Sequence, residues 1–182
     1  GLRDLNGKGV LAGLTEVSDI VAKKIVDGQE LPCDGKLYYR GIDVEQLVGQ
    51  ALKEGRFGFE ETAYLLLLGR LPKAAELEDF RRQLSYYRSL PNNFVRDVIL
   101  KAPSQDIMNS LARSVLNLAS YDDRCDDISL PNVMRQCVQL TALFPMLSVY
   151  GYQAYNYKSG SSLYIHAPRP ELSTAENILS LL

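Results

Sequence analysis

The 182-residue sequence contains one histidine, no tryptophan and three cysteines. A single histidine, His166, excludes any mechanism in which this chain supplies two imidazoles. The three cysteines, Cys33, Cys125 and Cys137, are odd in number and irregular in spacing, which does not fit a disulfide framework. We therefore expect reduced thiols and a cytoplasmic protein.

The sequence also lacks an excess of either charge. Twenty lysines and arginines stand against 22 aspartates and glutamates, so no basic surplus is available to neutralise phosphates, and nucleic-acid binding is not expected. Residues 1–20 show no basic segment followed by an apolar core, so no signal peptide is predicted. Gln136–Tyr157 is uncharged and long enough to span a bilayer. Its glutamines, Asn156 and Pro145 make it too polar for hydrocarbon, so we expect a buried or interface helix and no membrane partner.

Residues 1–40 differ in pattern from the remainder. Thr15–Ile20 and Lys36–Arg40 are short and partly alternating, and Asp27-Gly28 and Asp34-Gly35 between them are turn signals. The pattern predicts a small amino-terminal β-hairpin, which needs support from another element because two strands alone are marginally stable.

From residue 41 to residue 182 the apolar residues recur with a helical period. Capping boxes are predicted at Asp43 with Gln46 and at Ser173 with Glu176, and Pro145 predicts a kink. The predicted helices cover about 43–54, 59–68, 73–89, 93–100, 105–120 and 130–157, with a last helix from Thr174. The fold class is therefore mainly α, a multi-helix domain with a small hairpin, and we interpret residues 1–182 as one packed unit.

Two of these helices carry an unusual apolar surface. The face of 105–120 is wider than one core contact requires, which predicts burial by the core on one side and by a partner on the other. The last helix is still adding apolar residues at Leu181 and Leu182, without a capping residue. We therefore expect that Leu182 is not the native end of the protein.

Two features of the sequence suggest a nucleophilic or a phosphate-binding site, but neither matches the motif that such a site requires. His166 lies in a predicted loop, and no Gly-x-Ser-x-Gly motif offers it a nucleophile, so a surface histidine is expected. Gly28–Lys36 resembles a phosphate-binding loop, but its spacing is two residues too long and Leu37 replaces the required Ser or Thr. A hairpin turn is the better interpretation.

The charged and aromatic clusters also have structural interpretations. An acidic loop surrounds Arg124 and Cys125 but lacks the alternating ligands and central glycine of a calcium loop, so we expect a solvated loop with Arg124 as counter-charge. Three arginines near Glu78 and Asp79 are expected on an exposed helix face. Four tyrosines do not form one stripe, so helix packing with hydroxyls at the rim is expected. The acidic residues of the loop are Asp122, Asp123, Asp126 and Asp127. The three arginines are Arg81, Arg82 and Arg88, and the four tyrosines are Tyr150, Tyr152, Tyr155 and Tyr157. The residues alone predict no catalytic, cofactor-binding or metal-binding side chain.

Several segments in order nevertheless resemble the citrate synthase family. The most telling is Leu37-Tyr38-Tyr39-Arg40-Gly41-Ile42-Asp43, which is similar to that family's Tyr-Arg-Gly-Tyr-Asp-Ile signature. Further segments with family counterparts are Gly1–Asp4, Val10–Thr15, Ser18–Ile20, Phe59–Leu66, Gly69–Pro72, Glu76–Phe80 and Ser173–Leu182. The resemblance is collinear over nearly the whole chain, and it identifies the chain as an amino-terminal, large-domain portion of such an enzyme.

The resemblance implies condensation of oxaloacetate with acetyl-CoA to give citrate and CoA, without a metal. In the family an Asp removes a proton from the thioester methyl group, and two histidines stabilise the enol and protonate the oxaloacetate carbonyl. These residues follow the family's Ala-Glu-Asn-Phe-Leu helix, which here begins near Thr174. The resemblance therefore places no catalytic residue and no bound cofactor on residues 1–182, and we expect this chain to be inactive alone.

The resemblance also implies a homodimer in which the segments matching 105–120 and 130–157 lie at the interface. Two alternatives remain open at this point. One is a fragment of a methylcitrate synthase, which would use propionyl-CoA. The other is a naturally short, non-catalytic helical module that serves as a dimerisation or regulatory partner.

Overall fold

The computed structural model describes residues 3–10 and 13–182. Gly1, Leu2, Leu11 and Ala12, which belong to two of the segments that carry the resemblance, lie outside the described residues. The chain divides into two compact units, Gly1–Pro72 and Lys73–Leu182. The predicted fold class is confirmed: helices dominate, and the sheet is small. That all 182 residues form one packed unit within a large domain stays a prediction.

The first unit contains a three-stranded antiparallel sheet in the order β1-β2-β3. Its strands are β1 (Ser18–Val26), β2 (Gln29–Tyr39) and β3 (Ile42–Asp43). The predicted hairpin is confirmed, and its strands are longer than expected. Asp27 and Gly28 both have positive φ, as a type I′ turn requires. The turn predicted at Asp34-Gly35 is wrong, because these residues lie within β2 where the pairing register shifts.

Two helices complete the first unit: α1 (Val44–Lys53) and α2 (Phe59–Leu68). The cap of α1 differs from the predicted box, since the Asp43 carboxylate accepts the Glu45 N–H at 2.9 Å. The predicted end of this helix is confirmed, and Gly69 caps it in the left-handed conformation that glycine adopts readily. Although the α2 sequence is apolar nearly all round, only part of the helix is buried: Tyr64 and Leu65 are inside, and Phe59 and Leu68 are exposed.

The signature residues of β2 and β3 have a clear structural role in this unit. Arg40 and Gly41 form the tight turn between the strands, both with positive φ. The Arg40 guanidinium donates from Nε and Nη2 to the Leu66 carbonyl oxygen, at 3.2 and 2.9 Å. This carbonyl is in the last turn of α2, where it has no intrahelical partner and where a cation is favoured by the helix dipole. The Tyr-Arg-Gly segment thus ties the sheet to α2.

The second unit is helical and is organised around one long helix. Its elements are α3 (Ala74–Tyr87), a π-helical turn (Val95–Leu100), α4 (Ile107–Leu118), a 3₁₀ turn (Ala119–Tyr121), α5 (Leu130–Lys158) and α6 (Thr174–Leu181). The core gathers apolar side chains of α4, α5, α6 and the π-helical turn, among them Phe94, Leu118, Leu143, Met146 and Leu181. The predicted boundaries all agree with the observed ones to within two residues, and the short helix predicted at 93–100 is a π-helical turn.

Pro145 lies inside α5 and is buried. The helix continues without interruption from Leu130 to Lys158, so the proline does not end it. The kink that Pro145 predicts stays a prediction. At the start of α6 the predicted capping box is confirmed: Glu176 accepts the Ser173 N–H at 2.8 Å, and the Ser173 hydroxyl accepts the Glu176 N–H at 3.3 Å.

Candidate functional site

The single histidine lies in the segment before α6 and has an exposed side chain. The Tyr150 hydroxyl donates a hydrogen bond of 2.5 Å to the His166 backbone carbonyl oxygen, and the rings of Tyr164 and His166 stack at 6.5 Å between centroids. Burial raises the pKa of Tyr150 above its ordinary value. The imidazole is thus a surface group, as predicted, and it is the backbone at His166 that is fixed to α5.

The acidic loop is held by a cation that the sequence did not point to, Arg135. Asp122 Oδ2 accepts from Arg135 Nη2 on α5 at 2.6 Å, and both side chains are about four-fifths shielded from solvent. This hydrogen bond is the main reason why the pKa of Asp122 is lowered. Arg124 contributes its N–H to Asp122 Oδ1 at 3.1 Å and only a smaller electrostatic effect on Asp127. Arg124 thus acts as a counter-charge within the loop, as predicted, but the ion pair that holds Asp122 is made by Arg135.

Asn132 at the start of α5 also holds this loop in place. It is buried, and its Nδ2 donates to the carbonyl oxygens of Arg124 and Asp127 at 2.8 and 2.7 Å. Its Oδ1 accepts from Arg135 Nε at 2.9 Å. The loop is thus a structural connection between α4 and α5. Within residues 3–10 and 13–182, no group of three or more His, Cys, Asp or Glu side chains is arranged to hold a metal ion.

The three arginines of α3 and its end do not share one environment. Arg82 pairs with Asp79 on an exposed face, as predicted. Arg88, however, is buried and donates to the Leu172 carbonyl oxygen at 3.0 Å and to the Thr174 hydroxyl at 3.1 Å. Placing Arg88 on a solvated face was wrong, because the start of α6 folds over it. A helical period alone could not reveal that contact, which spans 84 residues of sequence.

The remaining candidate groups behave as the sequence predicts. Cys33, Cys125 and Cys137 are free thiols. Of the tyrosines at the end of α5, Tyr150 is buried, whereas Tyr152 and Tyr157 are exposed. No helix among the described residues combines the length and apolar character needed to cross a bilayer.

The most prominent candidate interaction surface is the outer side of α4 and α5. Met108 and Leu116, eight residues apart on one face of α4, are 74% and 73% exposed. The opposite side of α4 contributes Leu118 to the core. On α5, Phe144 and Tyr152 are 40% and 46% exposed. The wide apolar face predicted for 105–120 is therefore real, and the described residues leave Met108 and Leu116 on it uncovered.

The two helices lie antiparallel. A Cβ placed on Gly151 of α5 would be 3.9 Å from the Cβ of Ser110 near the start of α4, and Leu118 at the end of α4 joins Leu143 in the core. Exposed apolar side chains thus lie on two neighbouring helices, and we call Met108, Leu116, Phe144 and Tyr152 together the α4–α5 face. Apolar faces of this kind mark interaction sites.

Comparison with known proteins gives a consistent result. The chain matches the family model described as "Citrate synthase, C-terminal domain" over residues 4–182. It is 30% identical over 149 residues to the citrate synthase of Corynebacterium glutamicum, covering 81% of this chain and 32% of that protein. It is 28% identical over 174 residues to 2-methylcitrate synthase 2 of the same organism, covering 96% of this chain and 40% of that protein.

Solved structures agree with the sequence comparisons. The citrate synthase of Pyrobaculum aerophilum superimposes with a TM-score of 0.72 and 27% identity, covering 99% of this chain and 43% of that chain. That of Thermotoga maritima gives 0.65 and 27%, covering 95% and 39%. This chain spans less than half the length of each of these relatives. On the match over residues 4–182, together with these relatives, the chain belongs to the citrate synthase family of acyltransferase-type enzymes.

Proposed function

We propose that this chain is the amino-terminal, large-domain part of a citrate synthase, which condenses acetyl-CoA with oxaloacetate to give citrate and CoA. The observation that carries the proposal is the superposition on the Pyrobaculum aerophilum citrate synthase over 99% of this chain. A non-catalytic helical module of another class is not favoured, because the relatives that cover most of this chain are condensing enzymes by name.

Within this proposal the chain supplies scaffold rather than reacting groups. Its one imidazole is exposed in a loop and its acidic loop is tied to Arg135, so neither matches the His, His and Asp that the chemistry requires. We therefore propose that residues 1–182 alone bind no cofactor and are inactive. The reacting groups, with the sites for oxaloacetate and acetyl-CoA, are expected in sequence that follows Leu182. Free thiols are the support for the proposed cytoplasmic location.

Release of the CoA thiol tests the activity directly. The protein that carries this chain in full is mixed with acetyl-CoA, oxaloacetate and a thiol reagent, and the expected result is thiol release that requires both substrates. Because Cys125 is exposed, the protein's own thiols react too, so a reaction without oxaloacetate is the control. Thiol release that does not depend on oxaloacetate would contradict the proposal.

One of the relatives is a 2-methylcitrate synthase. Replacing acetyl-CoA by propionyl-CoA in the same assay distinguishes a citrate synthase from a methylcitrate synthase. A citrate synthase is expected to have the higher kcat/KM with acetyl-CoA. The opposite ratio would reassign the substrate and leave the condensation chemistry in place.

We further propose that the protein is a homodimer through the α4–α5 face, that is, through helices about 105–120 and 130–157. The support is the exposure of Met108 and Leu116 on α4 and of Phe144 and Tyr152 on the neighbouring helix α5. An apolar surface shared by two copies is self-complementary about a two-fold axis, the commonest symmetry of soluble oligomers.

A charged substitution in this face tests the dimer. Leu116→Glu is expected to give a monomer by sedimentation velocity at micromolar concentration, because association would bury a carboxylate among apolar groups. Leu52→Glu is the matched control, since Leu52 on α1 is 75% exposed and Leu116 is 73% exposed. A wild-type protein that sediments as a monomer would refute the proposal, as would a Leu116→Glu variant that remains dimeric.

A further inference from the structure

A cavity of about 210 Å³ lies between the π-helical turn, α4 and Gly151 of α5. Four polar side chains of α4 line it at positions i, i+3, i+4 and i+7, which places them on one face of the helix. They are Ser110, Arg113, Ser114 and Asn117. Neither the α4–α5 face nor any residue given a role in the condensation is part of this cavity. π-Helical segments occur disproportionately at functional sites.

The guanidinium of Arg113 is the central group of the cavity. It is half-buried, and its Nη2 donates to the Ala102 carbonyl oxygen at 3.0 Å and to the Ser110 hydroxyl at 3.4 Å. These bonds hold the side chain in place without neutralising it. Among the ion pairs of the described residues, none brings a carboxylate to Arg113. The cavity therefore contains a fixed positive charge that no carboxylate of the described residues pairs with.

The other charges around the cavity do not cancel it. Asp97 also lines the cavity, but both its oxygens accept from Arg96, from Nε and Nη2 at 2.8 Å each. Lys101 is close enough to act electrostatically on the same carboxylate. Two cations thus oppose the single charge of Asp97, and Arg113 adds a third. The surroundings are net positive and favour an anion.

The neighbouring polar groups can hold such an anion. The Ser110 hydroxyl accepts from Arg113, which leaves its own O–H to donate. Asn117 uses one Nδ2 proton on the Arg113 carbonyl oxygen and has a second proton available. Arg113, Ser110 and Asn117 therefore offer donors along one cavity, and arginine suits planar or tetrahedral oxyanions because it can bind two oxygens at once.

We propose that this cavity binds a small oxyanion, the phosphate or carboxylate group of a free metabolite, with Arg113 as the principal contact. Its volume is below the 300–1,000 Å³ typical of pockets for drug-sized ligands, so the ligand is a small molecule rather than a nucleotide. The site is separate from the proposed condensation, so it can be present whether or not that activity is found.

Binding of inorganic phosphate to the full-length protein tests the proposal. Titration calorimetry at constant ionic strength, with sodium chloride as the reference salt, is expected to show saturable binding in the wild type. Arg113→Gln is expected to weaken binding by about 10- to 100-fold, the loss that corresponds to one charge-assisted hydrogen-bonding group. Arg113→Lys, which keeps the charge and loses the fork, is expected to fall between the two.

Arg82→Gln is the matched control, because Arg82 is an exposed arginine on α3 whose partner is Asp79. It is expected to bind phosphate like the wild type. If Arg113→Gln does not fold, the Arg113 Nε–H resonance of the wild type replaces it, and phosphate is expected to shift that resonance. No saturable binding above the chloride reference, or equal loss in the Arg82 and Arg113 variants, would overturn the proposal, as would an unmoved Arg113 resonance.

Discussion

The sheet of the first unit and the α5-centred bundle of the second unit keep their shapes by different means. None of the residues of β1 is buried, whereas α5 has twelve buried positions. The hairpin depends on turn conformation and ladder hydrogen bonds, which are local in sequence. The bundle depends on apolar burial and on polar contacts between residues far apart in the chain. Substitutions in the two units should therefore differ in how much stability they remove and in how much of the structure they affect.

The largest expected effect comes from truncating a central core residue of the bundle. Leu143→Ala removes a side chain with 0% exposure, and the lost burial together with the cavity left behind should lower the free energy of unfolding by about 3 kcal/mol. Urea denaturation followed by circular dichroism measures this loss. Leu31→Ala in β2 is the control, because Leu31 is 41% exposed, and its loss should be below about 1 kcal/mol. Equal losses would contradict the contrast between the units.

The second-largest loss of stability is expected when a buried side-chain amide that binds several backbone groups is removed. Asn177 is 0% exposed; its Nδ2 donates to the carbonyl oxygens of Arg169, Leu172 and Ser173, and its Oδ1 accepts the Arg169 N–H at 2.8 Å. Asn177→Ala removes all four bonds and leaves the Arg169 N–H without its acceptor, at an expected cost of about 2 kcal/mol.

The same denaturation experiment measures this loss. Asn109→Ala on α4 serves as its control, since the Asn109 side chain is exposed and alanine favours the helix. The control should unfold at the wild-type urea concentration or higher. An Asn177→Ala variant as stable as the wild type would show that these hydrogen bonds do not fix the segment before α6.

A smaller loss of stability, which depends on pH, is expected at the loop between α4 and α5. The Arg135 hydrogen bond lowers the pKa of Asp122 in the folded protein from 3.8. A lowered folded pKa means that the stabilisation is complete above pH 3.8 and is lost as the pH falls through the folded pKa. Asp122→Asn should therefore cost about 1 kcal/mol at pH 7, and the difference from wild type should shrink below pH 3.8.

Unfolding at several pH values between 7 and 3 measures that trend. Asp79→Asn is the control, because the Asp79–Arg82 pair is exposed on both sides and exposed pairs contribute little. A difference between Asp122→Asn and wild type that stays constant down to pH 3 would mean that the charge of Asp122 does not stabilise the loop.

The smallest and most local effect is expected in the hairpin. Gly28 has a φ of 77°, a conformation that costs a residue with a side chain about 1–2 kcal/mol. Gly28→Ala should therefore accelerate amide hydrogen exchange in β1 and β2 by about 5- to 30-fold, with exchange in α5 unchanged. Gly35→Ala is the matched control, because a Cβ there meets nothing within 4 Å and Gly35 lacks a positive φ. Faster exchange in α5 would contradict the local character of the hairpin.

The elements could be predicted from sequence wherever the signal is local. The end of α2 at Leu68, the capping box of Ser173 and Glu176 and the turn at Asp27-Gly28 depend on neighbouring residues, and the structure confirms each of them. Asp34-Gly35 carries the same turn signal as Asp27-Gly28, but β2 continues through it and takes up the extra residues as a shift in register. A local preference was overridden there by the pairing of the longer strands.

The candidate sites required information that the sequence does not carry. Arg88 and Arg82 are equivalent by pattern, but α6 covers the first and leaves the second in solvent. Arg124 is nearer in sequence to the acidic residues than Arg135, which nevertheless makes the ion pair with Asp122 because the loop folds back onto the start of α5. Such contacts depend on where distant segments meet.

By itself, the sequence determined the helical class, the hairpin, the absence of a second imidazole and, through its collinear motifs, the resemblance to the citrate synthases. These follow from residue types, their period and their order. Only the tertiary structure decided which arginines are buried, which apolar side chains of α4 remain exposed and which polar groups of α4 surround a cavity with Arg113. Burial and charge pairing are properties of surfaces brought together by folding, so no single segment contains them.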